Sequence, residues 1–307
     1  MKPQDKHPLS ISVIFKQKKA ILMLSSFFLQ KVIHNTTYFM ECCSTFAPRQ
    51  AISSCLTSPG WKHSKDMVVE RCAWRIFFIQ NRTTIMKFFI DTANLDQIRE
   101  AKDLGILDGV TTNPSLMAKE GITGRNNILT HYVAIAKLVG DKDVSAEVIS
   151  TDFDGMVREG RELADLADNI VVKVPMIKDG IKAISWFSEH DISTNCTLVF
   201  SAGQAILAAK AGATYVSPFI GRIDDMAWDG MELIRQMVEI YSIQGYETEI
   251  LAASIRTPLH IVQAAQCGAD VITAPLSAIL GLLKHPLTDS GLQQFLLDHE
   301  KAKGIKN

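Results

Sequence analysis

From Met86 onward, short β-prone runs alternate with longer amphipathic stretches. The strand candidates are "KFFIDTA" (87–93), "GVTTN" (109–113), "DVSAEVI" (143–149) and "NIVVKVP" (169–175). They continue with "ISTNCTLV" (192–199), "TYVSPFI" (214–220), "TEILAAS" (248–254) and "DVITAP" (270–275). Between them the apolar residues fall at helical spacing. "NLDQIREAKDLG" sets Leu95, Ile98 and Leu104 near one face and stops at Gly105, and "FDGMVREGRELADLA" and "SAGQAILAAKAGA" behave alike. The longest, "WDGMELIRQMVEIYSIQG", ends at Gly245. Strand–helix alternation of this kind predicts an α/β fold with a parallel sheet. Eight such units over roughly 220 residues predict a closed (β/α)8 TIM barrel. A doubly wound open sheet would carry a glycine-rich turn after its first strand, and "IDTANL" has no glycine.

The barrel is expected over residues 86–307 and ends in a helix, "SGLQQFLLDHEKAKG". Its apolar Leu292, Phe295, Leu296 and Leu297 either cap the chain's own barrel or pack on a neighbouring subunit. Residues 1–85 read differently. They mix basic, aromatic and turn residues without a sustained period, and the apolar run in "KQKKAILMLSSFFLQ" is shorter than the ~20 residues of a membrane span. No small-residue cleavage pattern follows it cleanly. The expectation is an N-terminal extension, disordered or derived from upstream sequence, with Met86 as the natural start.

Composition narrows the partners. Of 307 residues, 47% are hydrophobic and 21% charged, which suits a soluble globular chain with ample core material. A formal net charge of -1 gives no electrostatic sign of nucleic acid or an anionic membrane as partner. Anion binding must therefore come from a few placed residues. Cys42, Cys43, Cys55 and Cys72 lie in the extension, and the barrel's Cys196 and Cys267 suit a reducing cytoplasm.

In such barrels the chemistry sits at the carboxyl ends of the strands. Here those ends carry Asp91, Asn113, Glu147, Lys173, Asn195, Thr197, Ser217 and Ser254. Taken singly, Asp91 reads equally as a helix cap, Asn113 as a turn starter and Thr197 as β-branched filler. Lys173 is harder to set aside. Strand alternation puts it with Val171 on the face opposite Val172 and Val174, and that face meets the barrel interior. Either its stem packs while its head reaches water, or burial disfavours the ammonium form and leaves a nucleophilic amine able to form a Schiff base. A carboxylate, Asp91 or Glu147, would then move protons, with Thr197 holding a water. No segment of the barrel region offers clustered His and Cys for a metal, and two carboxylates alone make a sparse site. In "SPFIGRIDD" and "AASIRTP", Arg222 and Arg256 follow adjacent strands and are placed to clamp a phosphate with Ser254. The alternative for Arg222 is an ion pair with Asp224 or Asp225.

Together "FFIDTAN", "GVTTNPSL", "AEV", "VVKVP", "NCTLVFS" and "SPFIGRI" resemble the transaldolase family, in particular its small branch, over about residues 86–302. The resemblance implies Lys173 as Schiff-base lysine, Asp91 as general acid/base, and Glu147 and Thr197 as holders of the catalytic water. It implies that Asn113, Asn195 and Ser217 bind substrate hydroxyls or orient the lysine, and that Arg222, Ser254 and Arg256 bind phosphate. The implied reaction moves a dihydroxyacetone unit from sedoheptulose 7-phosphate to glyceraldehyde 3-phosphate in the pentose phosphate pathway, with no metal or organic cofactor. The related fructose 6-phosphate aldolases tend to carry glutamine where this chain has Glu147 and tyrosine where it has Phe219, so the resemblance favours the transferase. A phosphosugar-binding barrel without turnover is the third reading. Small members of the family form pentamer-based decamers, which implies a homo-oligomer here.

Overall fold

The computed structural model describes residues 85–304. All of the expected extension except Ile85, including its four cysteines and its apolar run, lies outside the described residues. The eight strands are β1 (Lys87–Asp91), β2 (Gly109–Thr111), β3 (Asp143–Glu147), β4 (Ile170–Pro175), β5 (Thr194–Val199), β6 (Tyr215–Pro218), β7 (Glu249–Ala252) and β8 (Val271–Ala274). They pair in parallel in chain order, and β1 also pairs with β8, so the sheet closes into the predicted (β/α)8 barrel. Closure leaves no free sheet edge. Each strand falls within a run marked from the sequence but is shorter; β4 and β5 lose only residues at the start of their runs, and in the other runs the last one or two residues turn into the loops of the mouth.

Helices cover the outside: α1 (Leu95–Asp103), α2 (Pro114–Lys119), α3 (Arg125–Val139), α4 (Phe153–Ala164), α5 (Lys178–Glu189) and α6 (Ala202–Lys210). They continue with α7 (Ile220–Asp224), α8 (Gly230–Gln244), α9 (Pro258–Cys267), α10 (Leu276–Gly281) and α11 (Pro286–Gly304). The starts are set by side-chain caps: Asn94, Asp152, Ser201, Asp229 and Thr257 each accept a backbone N–H from the first turn of α1, α4, α6, α8 and α9. The cap of α1 is thus Asn94, which leaves Asp91 free for the barrel mouth.

Strand alternation splits the core into two parts. Ile90, Val172, Val174, Cys196, Val216, Ile250 and Ile272 face the helices, while Phe89, Val171, Tyr215, Leu251 and Val271 form a separate cluster inside the barrel. Lys173 shares the parity of Val171, so it points inward. The interior is layered. At the amino-terminal pole Lys87 Nζ lies 2.8 Å from Glu249 Oε1, and Tyr215 Oη donates to Asp143 Oδ2 at 2.5 Å. Above this lies the apolar waist, where Phe89 stands in register with Gly109. A Cβ on Gly109 would come within 2.5 Å of the Phe89 ring, so the glycine is what lets the ring lie across the barrel. Among the described residues no helix is long and apolar enough to cross a membrane. The last helix, α11, buries none of its residues, so it does not cap its own barrel.

Gly109→Ala is therefore expected to destabilise the fold by about 1–3 kcal/mol, the range for overpacking a filled interior. The measurement is the urea midpoint. Phe89→Leu in the same chain should recover part of the loss, because it removes the atoms that clash.

Candidate active site

At the carboxyl end of the barrel, Glu147, Lys173 and Asn195 stand in register on β3, β4 and β5. The Lys173 side chain is only 6% exposed, so its head does not reach water. Its amine lies 3.0 Å from Glu147 Oε2 and donates to the carbonyl of Thr112 at 3.2 Å. Of the two alternatives, a snorkelling head and an enclosed amine with an inward carboxylate nearby, the geometry matches the second, and the carboxylate stands one strand away. Burial of two opposite charges is tolerated only with such close geometry, because desolvation costs several kcal/mol per ion.

Asp91 enters from β1, where Thr111 Oγ1 donates to its Oδ1 at 2.8 Å. Burial holds the Asp91 carboxyl above the usual carboxylate range, against the pull of the Lys173 charge and the Thr111 hydrogen bond. On the opposite side, Ser217 Oγ donates to Asn195 Oδ1 at 2.7 Å and Asn195 Nδ2 donates to Ser145 Oγ at 3.1 Å. All three residues are buried, so the orientation of the Asn195 amide is fixed from both ends.

Thr197 is also buried, and its hydroxyl has no hydrogen-bond partner among the described residues. A buried hydroxyl left this way costs about 1–3 kcal/mol, which ordinary β-branched filler would avoid by being valine. The next residue, Leu198, sits at φ 62°, and the β5–β6 register shifts between Cys196 and Val199. A bulky side chain in the left-handed region is a strained placement, and bulges of this kind re-aim side chains next to functional sites.

The remaining predicted residues line the rim. Asn113 caps α2, its side-chain oxygen accepting the Leu116 N–H at 3.0 Å, so the turn reading accounts for that oxygen. Arg222 does not pair with Asp224 or Asp225. Those carboxylates are taken by His260 at 3.3 Å and Arg256 at 2.7 Å, while the Arg222 guanidinium lies 4.8 Å from the centre of the Phe219 ring. Ser254 has φ 60°, and its carbonyl accepts the Gly221 N–H at 3.2 Å. A Cβ on Gly221 would meet that carbonyl oxygen at 2.1 Å and Arg256 Nε at 2.7 Å. The glycine is what allows α7, bearing Arg222, to lie against Ser254 and Arg256.

Four residues of the mouth escaped the sequence reading: Thr111, Thr273, Ser145 and Tyr132, whose Oη accepts the Glu147 N–H at 3.3 Å. The first three share inward parity with the predicted residues, and Thr111 and Ser145 lie before the last polar residue of their runs; parity marks all three as inward. Tyr132 comes from α3, and no local pattern points to it. Among the described residues no three His, Cys, Asp or Glu side chains are grouped to hold a metal ion.

Residues 88–306 match the family described as Transaldolase/Fructose-6-phosphate aldolase. A probable transaldolase of Cytophaga hutchinsonii is 68% identical over 219 residues, which are 71% of this chain and 100% of that protein. One from Parabacteroides distasonis is 68% identical over the same shares. Another, from Porphyromonas gingivalis, is 66% identical over 217 residues, 71% of this chain and 98% of that protein.

The ion pair can be tested without reference to any reaction. Glu147→Leu strands a buried ammonium and should cost about 3 kcal/mol or more. Lys173→Met should cost clearly less, because Glu147 is 17% exposed and can turn toward water. Equal losses in thermal unfolding would count against the pairing.

Proposed function

The chain belongs to the transaldolase/fructose-6-phosphate aldolase family, and from that premise we propose that it is a transaldolase acting through a Schiff base on Lys173. The observation that supports this most is a buried amine inside the barrel, 3.0 Å from the carboxylate able to take its proton.

Lys173 passes a proton to Glu147 and becomes a neutral amine, which adds to the carbonyl carbon of a ketose phosphate. Glu147 returns the proton to the carbinolamine hydroxyl, which leaves as water and gives the protonated imine. The otherwise unpartnered Thr197 hydroxyl suits a holder for that water. Asp91 then takes the proton of the hydroxyl two carbons away, the adjacent carbon–carbon bond breaks, and its electron pair neutralises the iminium nitrogen. An aldose phosphate leaves. The remaining dihydroxyacetone enamine attacks the acceptor aldehyde, Asp91 returns its proton to the new hydroxyl, and water releases the product from Lys173.

In this reading Asn113, Asn195 and Ser217 bind sugar hydroxyls, and Arg222, Ser254 and Arg256 take the phosphate. The donor is sedoheptulose 7-phosphate and the acceptor glyceraldehyde 3-phosphate, which places the enzyme in the pentose phosphate pathway. Glu147 and Phe219 favour transfer over aldol release, since a tyrosine hydroxyl in place of Phe219 would be a further holder of water. Residues 86–307 carry the activity. The free thiols of Cys196 and Cys267 fit a cytoplasmic enzyme.

The chain is further proposed to work as a homo-oligomer. Leu292, Phe295, Leu296 and Leu297 are all more than half exposed on α11, and four large apolar side chains left bare together in water favour a second copy as their cover.

Borohydride reduction in the presence of sedoheptulose 7-phosphate should fix the donor's three-carbon unit, or the intact ketose, on the Lys173 peptide. Lys173→Met should lose about 10³-fold or more of the transfer activity, since the imine step has no detour. Dihydroxyacetone with glyceraldehyde 3-phosphate giving fructose 6-phosphate efficiently would instead favour the aldolase, and sugar-phosphate binding without trapping would favour a binding protein. Separately, light scattering should give a multiple of the 34.0 kDa chain mass, reduced by Phe295→Glu combined with Leu292→Glu.

A further inference from the structure

We infer that Thr111, backed by Thr273, is a positioning residue that decides which oxygen of Asp91 exchanges the catalytic proton. This deepens the reading just proposed and rests on it for the kinetic consequence alone.

The two threonines come from β2 and β8, the strands that flank β1 on either side of the closure. Both are buried, and their hydroxyl oxygens lie 2.6 Å apart, a full hydrogen bond. Thr111 Oγ1 is also 2.8 Å from Asp91 Oδ1. A hydroxyl has one proton, and an ionised carboxylate can only accept. The Thr111 proton is therefore committed to Asp91, and the proton between the threonines must come from Thr273. The arrow runs Thr273 to Thr111 to Oδ1, and it cannot reverse while Asp91 is ionised. Oδ1 is held as an acceptor, so a proton arriving from substrate is carried by Oδ2.

Packing alone gives no reason for this arrangement. Valine has the shape of threonine and a higher strand preference, and a pair of valines would fill the same space without burying two hydroxyls. The charged groups facing Asp91 are few. Lys173 reaches it from β4 and is itself paired with Glu147 of β3, while β2 and β8 present the two hydroxyls. Burial and the Thr111 hydrogen bond act on the Asp91 carboxyl in opposite senses.

Removing a donor from a carboxylate disfavours its ionised form, so its titration moves up. Cleavage of the donor needs Asp91 as a base, so the acidic limb of kcat/KM moves up with it. The experiment compares full-length wild type with Thr111→Val, Thr111→Ser and Thr273→Val. Asp91 is titrated by ¹³C NMR of carboxyl-labelled aspartate, assigned with Asp91→Asn, and kcat/KM is followed against pH. Thr111→Val should raise the Asp91 titration and the acidic limb by about one pH unit, which below the limb is a tenfold loss, with KM on the plateau unchanged. Thr111→Ser should stay near wild type, and Thr273→Val should shift in the same direction by less. A folded Thr111→Val with an unmoved titration, or a serine variant shifted as far as the valine one, would overturn the inference. If Thr111→Val does not fold, Thr273→Val decides, and no upward shift there overturns it too. The NMR arm needs no turnover. A shifted titration in a protein that borohydride never traps would sink the Schiff-base reading and leave this one standing; a trapped wild type with unmoved titrations would do the reverse.

Discussion

One buried ion pair, Lys173 with Glu147, governs the rest of the molecule. Neither charge is tolerable alone inside a closed barrel, and together they are tolerable only at close range. A pair held at this distance is also one proton shift from being two neutral groups, and neutral groups suffer far less from desolvation. A free surface lysine has no such route. On the proposed reading, the enclosure that makes the charges costly also sets a carboxylate within reach of the amine's proton.

Holding that geometry requires a stiff support, and the barrel interior provides it in layers. The amino-terminal pole is closed by Lys87 with Glu249 and by Tyr215 with Asp143. Phe89, Val171, Leu251 and Val271 then form an apolar waist between this polar floor and the polar mouth. The waist keeps the two sets of charges from pairing with each other. Above it nearly every side chain is fixed by another: Asn195 by Ser217 and Ser145, Asp91 by Thr111, Thr111 by Thr273. Sites built on strands and locked by neighbouring hydrogen bonds keep their shape without substrate. Thr197, beside the bulge at Leu198, stands outside these networks with its hydroxyl uncommitted.

The strands and their inward faces were legible because a period of two survives in each run, and because Lys173 could be placed relative to Val171 by parity alone. What sequence withholds is which side chains meet across strands. Thr111 and Thr273 touch although they are 162 positions apart, and parity marks each as inward without showing that they meet. The cap of α1 is Asn94 and not Asp91, three residues earlier, for a related reason. Asp91 and Asn94 are both good caps, and only the point where the chain leaves the sheet decides between them. The left-handed backbone at Leu198 and Ser254 was invisible because neither position is glycine, the residue by which such conformations are usually read. The exposed face of α11 was open from sequence, since amphipathic spacing says that a helix has a partner and not whose it is.

On the proposed reading, the rim is where a nearly uncharged protein draws its anion. Arg256 rests on the Asp225 carboxylate, an exposed pair whose net worth in water is about 1 kcal/mol or less. A phosphate carries more charge and accepts bidentate hydrogen bonds from the same fork, so it can displace that carboxylate at little cost. Arg222 has no carboxylate within ion-pair distance among the described residues and lies over the Phe219 ring instead. The ring's face attracts the cation without using any of its N–H donors. The two arginines are thus kept near Ser254 by weak, replaceable contacts, and the close approach that Gly221 permits brings them together. On the proposed reading this division is the working principle of the mouth: strong, buried contacts where the proton transfers must be aimed, weak and exposed ones where the phosphate must come and go.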